Sequence, residues 1–348
     1  MTRNEVLMGS LPSSATTATR DASGSGGHDD PGVVAVAGEA LIDLVPAGRE
    51  GLFEAAPGGS PANVAVGLAR LDVPARMVAR IADDLLGRRI RAHLADNGVD
   101  LDFAVRAEEP TSLAIVAVGL DGGAEYDFRV EGTADWQWRD HELAGVLDGR
   151  VVALHAGSLA LTMQPGADAL GRLVERARGA VTVSYDPNCR PLLMGGPDDV
   201  RGRIEGLVAL ADVVKVSAED LMWLLPGRAP QEVAEAWLAS GPAVVAVTLG
   251  PDGVVAVARQ AGVVRRPGRR VAVVDTVGAG DAFTSGLLAG LHRRGLLGAD
   301  WRGDLLAIGT GPLAEILDEA VLASAITCSR RGAHPPTTGE LLARLRPT

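Results

Sequence analysis

The densest group of residues able to do chemistry is Val274-Asp275-Thr276-Val277-Gly278-Ala279-Gly280-Asp281, followed by the small and apolar run from Ala282 to Leu291. Side chains are nearly absent from Gly278 to Gly280, so backbone N–H groups can approach an anion, and a helix opening there adds its partial positive charge. The residues after Asp281 predict such a helix, and the β-branched run from Arg270 to Val274 predicts a strand leading into the turn. A carboxylate in a helix's first turn is favoured by the dipole. Asp281 would also stand beside the bound anion, where a base can take a proton from an attacking hydroxyl. That combination suits phosphoryl transfer, which asks for positioning and charge stabilisation. The segment is not a Walker A loop, because it contains no Gly-Lys-Ser/Thr, and it lacks the third glycine of a dinucleotide fingerprint.

With Asp275 and Thr276 included, Asp-Thr-x-Gly-Ala-Gly-Asp resembles the C-terminal signature of the ribokinase-like (PfkB) sugar kinases. The resemblance implies that Asp281 is the catalytic base and that the amides of Gly278, Ala279 and Gly280 form the anion hole. A second stretch, Pro57-Gly58-Gly59-Ser60-Pro61-Ala62-Asn63-Val64-Ala65, reads on its own as a helix start with Ser60 as N-cap and Pro61 at the first helical position. Its Gly-Gly-x-x-x-Asn-x-Ala pattern is also similar to the N-terminal signature of the same family. That similarity assigns Gly58, Gly59, Asn63 and Asp43 to sugar hydroxyls, which amide and carboxylate groups can match as donors and acceptors. Without it, Asp43 is a lone carboxylate among apolar residues, as at a turn or sheet edge.

These residues need a scaffold. Val33 to Ala37 is a near-continuous small apolar run, as in a buried first strand. From Val151 the chain alternates strand-like and helix-like segments: Val151 to His155, Ala169 to Arg178, Val181 to Asp186, Ile204 to Leu210, Val213 to Val216, Val233 to Ala239 and Ala243 to Leu249. The expected fold class is α/β, a doubly wound, mostly parallel sheet with helices on both faces, whose ligands collect at the carboxyl ends of the strands. Leu113 to Val118 and Tyr126 to Val130 are strand-like, with Asp121-Gly122-Gly123 as a hairpin signal. With the segment around Asp43 to Phe53 they predict a small β lid, discontinuous in sequence at about residues 40–56 and 104–132. Residues 1–31, rich in Ser, Thr, Ala and Gly, read as a disordered tail, leaving 32–348 as the ribokinase-like domain.

Three loops fall at predicted strand ends: Asp186-Pro187-Asn188-Cys189-Arg190, Lys215-Val216-Ser217 and Thr248-Leu249-Gly250-Pro251-Asp252-Gly253. Arg190 and Lys215 are the basic residues best placed to meet phosphates, and Arg offers a planar fork. Asp-Pro-Asn-x-Arg and Lys-Val-Ser resemble fructokinase-type members of the family, and Thr-Leu-Gly-x-x-Gly resembles its nucleotide loop. The resemblance implies a substrate contact for Arg190 and nucleotide contacts for Lys215, Ser217, Thr248, Gly250 and Gly253. The family's metal-linked Asn-x-x-Glu stands here as Ser217-Ala218-Glu219-Asp220, leaving Asp220 and Glu219 as competing acidic ends. It further implies ATP and Mg2+, and K+ between Asp275 and the region of Gly332. Magnesium commonly reaches a protein through phosphates and water.

The whole-chain balance of 33 basic against 44 acidic residues, net −11, disfavours nucleic acid as a partner. Cys189 and Cys328 fit no metal or redox spacing, and no apolar run or leader suggests a membrane, so a cytoplasmic protein is expected. The family resemblance spans about Val33 to Pro336 and implies an ATP-dependent sugar kinase. Gly38-Glu39-Ala40-Leu41-Ile42-Asp43 with Asp186-Pro187-Asn188-x-Arg190 is most similar to fructokinase. A 2-keto-3-deoxygluconate kinase, with Arg129 as lid cation, is the alternative, followed by a ribokinase or nucleoside kinase. A sugar-binding regulator and a nucleotide-binding module with another reaction are the readings from other classes. The exposed lid edge offers a surface for a homodimer.

Overall fold

The computed structural model describes residues 32–47, 51–118 and 124–345, so the N-terminal tail and the Asp121-Gly122-Gly123 hairpin signal lie outside the described residues. In chain order the strands are β1 (Val33–Ala37), β2 (Leu41–Pro46), β3 (Phe53–Gly58), β4 (Ala75–Val78), β5 (Arg80–Ala82), β6 (Val105–Ala107) and β7 (Leu113–Val118). They continue with β8 (Ala124–Arg129), β9 (Val151–Gly157), β10 (Thr182–Asp186), β11 (Val213–Ser217), β12 (Val244–Thr248), β13 (Val254–Ala258) and β14 (Gly262–Arg266). Eight of them form one sheet in the order β14-β13-β12-β11-β10-β9-β1-β4. From β12 to β4 all neighbours are parallel, and β13 and β14 close the other side antiparallel. Strands covered on both faces must be apolar on both, which is why β1 reads Val-Val-Ala-Val-Ala and β12 begins Val-Val-Ala-Val.

Alternate residues of β1 enter opposite halves of the core: Val34 and Val36 pack on one side, Ala35 and Ala37 on the other. The first side is covered by helices Ser60–Arg70, Ala279–Arg293 and Thr310–Cys328. The second is covered by helices Gly166–Ala177, Pro197–Leu210 and Pro230–Ser240. The expected mostly parallel, doubly wound arrangement is therefore present. On the first side the helices approach to backbone distance. A Cβ on Gly67 would lie 2.4 Å from Ser285 Oγ, and one on Gly286 would lie 2.8 Å from Ala320 Cα. Interiors at crystal-like density leave no room for that extra carbon.

A second sheet, β3-β2-β7-β8, is built from two separate excursions of the chain. Its central pair β2 and β7 is parallel, and each is flanked by an antiparallel partner. One expectation fails. Residues 270–274 are not a strand among the described residues; Val273 and Val274 are 65% and 62% exposed, and Val274 N–H donates to Cys328 O at 2.8 Å. The β-branched composition is right for a strand, but β14 already forms that side of the sheet and no ladder partner reaches the segment. The glycine turn is thus entered from an extended loop anchored to the end of helix Thr310–Cys328.

Candidate active site

The helix predicted after the glycines runs Ala279–Arg293, with Gly278 as its N-cap at φ 73, ψ 4. That left-handed conformation explains the glycine there, since a Cβ would be strained and would also meet Ala333 Cβ at 2.6 Å. Ala279 N–H is used by the turn, donating to Thr276 O at 3.2 Å. The N–H groups of Gly278, Gly280 and Asp281 have no acceptor among the described residues, and these open donors face the site at the helix's positive end.

Asp281 projects from the first turn. Ser60 Oγ donates to its Oδ1 at 2.7 Å, and Asn63 Nδ2 donates to its Oδ2 at 2.8 Å. Burial pushes the Asp281 carboxyl above the usual carboxylate range, and the donors from Ser60 and Asn63 and the charge of Lys215 oppose that push. The sequence reading of Ser60 needs correction: Gly59 is the N-cap of helix Ser60–Arg70, and the Ser60 hydroxyl turns to Asp281 instead. Pro61 accordingly lies one position further into the first turn.

Behind the glycines stands a buried ion pair that spacing alone did not reveal. Lys215 Nζ donates to Asp186 Oδ2 at 2.9 Å, with side chains only 5% and 2% exposed. A Cβ on Gly280 would come 2.9 Å from that ammonium, so the absence of a side chain there admits the charge to the helix start. Burial works against the Lys215 charge, but Asp186 and the nearby carboxylates of Asp220 and Asp281 outweigh it and hold its pKa above the ordinary value. The same ammonium, after burial itself, helps depress the neighbouring His155 to about 3, where it is a neutral ring with Nδ1 3.0 Å from Ser184 Oγ.

The small sheet brings Asp43 to the other side of this cleft. Gly58 abuts it so closely that a Cβ would lie 2.0 Å from Asp43 Oδ2. The Asp43 carboxylate has no hydrogen-bond partner among the described residues. Burial pushes its pKa to about 6; Arg190 pulls it down, and Asp281 pushes it further up. An unpartnered, half-buried carboxylate facing a cleft is costly unless a ligand supplies donors. Arg190 is tethered through Nη1 to Asn188 O, Asn188 Oδ1 and Cys189 O, leaving its Nε and Nη2 donors uncommitted among the described residues. Gly59, at φ 100, sits so close to the link between β1 and β2 that a Cβ would meet Glu39 O at 2.6 Å.

The remaining predicted residues are distributed unevenly. Ser217 and Asp220 are committed to each other at the start of helix Ala218–Leu224. The Ser217 hydroxyl donates to Asp220 Oδ2 at 2.7 Å, and Asp220 also accepts from Cys189 N–H at 2.9 Å. Glu219 is exposed. Thr248 ends β12 beside β11, and Gly250 faces open space. Gly253 is packed instead, since a Cβ would strike Arg266 O at 2.1 Å. Asp275 joins its own turn to the late loop, accepting from Val277 N–H at 3.0 Å and Gly332 N–H at 2.8 Å. Arg129 is not brought to the cleft. Asp43 pairs with Ala114, which pairs with Phe128, so Phe128 shares the Asp43 face and Arg129 points to the opposite one, where it pairs with Asp127.

This geometry has counterparts among known proteins. The family model described as "pfkB family carbohydrate kinase" matches residues 33–338. A fructokinase of Klebsiella pneumoniae is 37% identical over 270 residues, covering 76% of this chain and 86% of that protein. The structure of a Xylella fastidiosa fructokinase with bound ATP superposes with a TM-score of 0.82 at 29% identity, covering 89% of this chain and 97% of its own. A Vibrio cholerae O395 fructokinase bound to fructose, ADP and calcium ion superposes with a TM-score of 0.79 at 29% identity, covering 91% and 100%.

Proposed function

The chain belongs to the PfkB family of carbohydrate kinases, and from that membership we propose that it transfers the γ-phosphate of ATP to a hydroxymethyl group of fructose. The observation that carries the site assignment is the pair of facing carboxylates: Asp43 without a partner on the small sheet, and Asp281 oriented by Ser60 and Asn63 at the open helix terminus.

In this mechanism Asp43, with Asn63 and the backbone of Gly58 and Gly59, holds sugar hydroxyls. The hydroxymethyl group lies at Asp281, which accepts its proton as the oxygen attacks phosphorus. The N–H groups of Gly278, Gly280 and Asp281 stabilise charge on the transferred phosphoryl oxygens, with Lys215 behind them. Ala279, whose N–H is spent on Thr276, contributes backbone shape. Arg190 is placed to steady substrate oxygens, while Thr248, Gly250 and Gly253 shape the nucleotide loop and Ser217 holds the start of its helix. The small sheet acts as the lid that excludes water.

Among the described residues no three His, Cys, Asp or Glu side chains gather as a metal cage, and Asp220 is already hydrogen-bonded. Magnesium would be held through the ATP phosphates and water and would supply neutralising charge there, with Asp220 or Glu219 acting on it indirectly. A monovalent cation such as K+ would lie against the backbone joined by Asp275 and Gly332. The reading includes a cytoplasmic enzyme and a homodimer through an open edge of the lid; no described helix is long and apolar enough to cross a membrane. Arg129, paired on the far face, gives no cation for an acidic sugar, which favours fructose over 2-keto-3-deoxygluconate.

The test is ADP release with ATP and magnesium against fructose, 2-keto-3-deoxygluconate, ribose, glucose and adenosine. Fructose is expected to give the strongest response, and Asp281→Asn to lower turnover by about 10²- to 10⁴-fold while fructose still binds. Near-normal turnover in Asp281→Asn would overturn the base assignment. A preference for the acid that Arg129→Ala removes would reverse the choice of sugar.

A further inference from the structure

The small sheet is joined to the core by four chain crossings, and three of them meet on one buried side chain. Asp135, 1% exposed, accepts at Oδ1 from Ala40 N–H at 2.8 Å, on the crossing from β1 into β2. At Oδ2 it accepts from the Ser112 hydroxyl, on the crossing into β7. The Ser112 hydroxyl is in turn 2.6 Å from that of Thr133, on the crossing out of β8, and Thr133 Oγ1 lies 2.9 Å from Val130 O. Backbone bonds reinforce the junction, since Ile42 N–H donates to Ser112 O at 3.1 Å and Ala134 N–H to Pro110 O at 3.0 Å. Asp43 follows Ala40 by three residues on β2, so the orientation of that strand sets where the carboxylate stands.

We propose that Asp135 is a positioning residue for the transfer reaction: the pin of the hinge about which the small sheet closes, fixing Asp43 relative to Asp281. The proposal rests on the kinase reading above. Asp135 touches neither substrate nor the reacting atoms; it acts through the three crossings. A hydrogen count separates this role from mere filling of space. The Ser112 and Thr133 hydroxyls have two hydrogens for three contacts, namely Ser112 to Asp135, Ser112 to Thr133, and Thr133 to Val130 O. An asparagine at this position can keep its oxygen on Ala40 N–H and donate to Ser112, which donates to Thr133, which donates to Val130 O. Asparagine therefore preserves all the connections, whereas alanine leaves Ala40 N–H and Ser112 without their partner.

Steady-state kinetics and hydrogen exchange on the full chain test the proposal. Asp135→Ala is expected to raise the KM for fructose about tenfold or more and to lower kcat, with the KM for ATP within about twofold of wild type. Asp135→Asn is expected to restore both fructose parameters to within about threefold. Without ligand, amides of β2 and β7 should exchange faster in the alanine variant than in wild type, and those of β10 to β12 at unchanged rates. If the alanine variant fails to fold, Ser112→Ala, which removes the hydroxyl contacts to Asp135 and Thr133 but keeps Asp135 on Ala40 N–H, should show the same pattern at smaller size. Equal shifts in both KM values, uniform acceleration of exchange, or an asparagine variant as impaired as alanine would each overturn the hinge. Wild-type protein that leaves fructose unphosphorylated refutes the substrate assignment alone, because the ligand-free exchange pattern still decides the hinge.

Discussion

Replacing Gly58 by alanine probes the sugar pocket with a single methyl group. The added carbon would lie 2.0 Å from Asp43 Oδ2 and 2.8 Å from Asp43 Cγ, where ordinary contact begins at 3.4 Å. The carboxylate oxygen must therefore retreat by about 1.4 Å or the strands must part. The backbone itself accepts the change, because Gly58 is absent from the residues at positive φ. Retreat costs the empty protein little, since Asp43 breaks no hydrogen bond within the described residues when it moves. The cost falls on the sugar: hydrogen bonds to a charged group are worth about 1.5–3 kcal/mol, and misplacement by about 1 Å can cost about 10²-fold in rate. Gly58→Ala is thus expected to lower kcat/KM for fructose by about 10- to 100-fold, chiefly through KM, with the melting temperature and the KM for ATP nearly unchanged. The decisive assay is a double-mutant cycle with Asp43→Ala, measured by ADP release. If the methyl group acts by displacing the carboxylate, it adds little once Asp43 is gone. Full additivity, or an unchanged kcat/KM in the single variant, would refute the reasoning.

Lys215→Met leaves Asp186 buried without its counter-charge and should destabilise by about 3–5 kcal/mol; Lys215→Met/Asp186→Leu should recover much of the melting temperature but not turnover. An unaltered melting temperature in the single variant would contradict the buried pair. Burial raises Glu39 to about 7, so the folded protein keeps a proton that the unfolded chain releases near 4.5, and stability falls as pH rises through that window. Glu39→Gln removes this cost and should melt above wild type at pH 8, by on the order of 1–3 kcal/mol, with the difference vanishing near pH 4.5. Because burial lifts Asp43 to about 6 and Asp281 also stands above its usual range, kcat/KM for fructose should climb through about pH 6 and level off above it. A flat profile from about pH 5 to 8 would count against ionised carboxylates on both sides of the cleft.

The parts of the site legible in the sequence are those that backbone geometry writes as glycine. Gly278 needs a left-handed cap, Gly280 admits an ammonium, and Gly58 admits a carboxylate, so each leaves a mark in the chain. The alternating strands and helices after Val151 were equally readable, because burial on both faces demands continuous apolar runs. Contacts between side chains from different strands leave no such mark. Asp186 appeared only as a motif letter, since its pairing with Lys215 follows from β10 lying beside β11 in the sheet order. Ser60 satisfied the composition of an N-cap, yet the helix took Gly59 and freed the hydroxyl for Asp281 across a gap of 221 residues. Asp135 sits in a short turn of no distinctive pattern, and only the meeting of three crossings gives it weight. Arg270 to Val274 reads as a strand because β-branched alternation reports propensity, while a strand also requires a neighbour.

Helices Ser60–Arg70 and Ala279–Arg293 touch where Gly67 meets Ser285, and the second touches Thr310–Cys328 where Gly286 meets Ala320. Ser60, Asn63 and Asp281 thereby sit on helices packed to backbone distance, whereas Asp43 sits on the small sheet. Inheritance can treat the two pieces differently. Substitutions in the small sheet are free to explore other sugars without retuning the transfer geometry, while a methyl group added at the helix contacts would disturb every substrate alike. Diversity among descendants of such a scaffold should therefore accumulate on the cover and leave the engine unaltered.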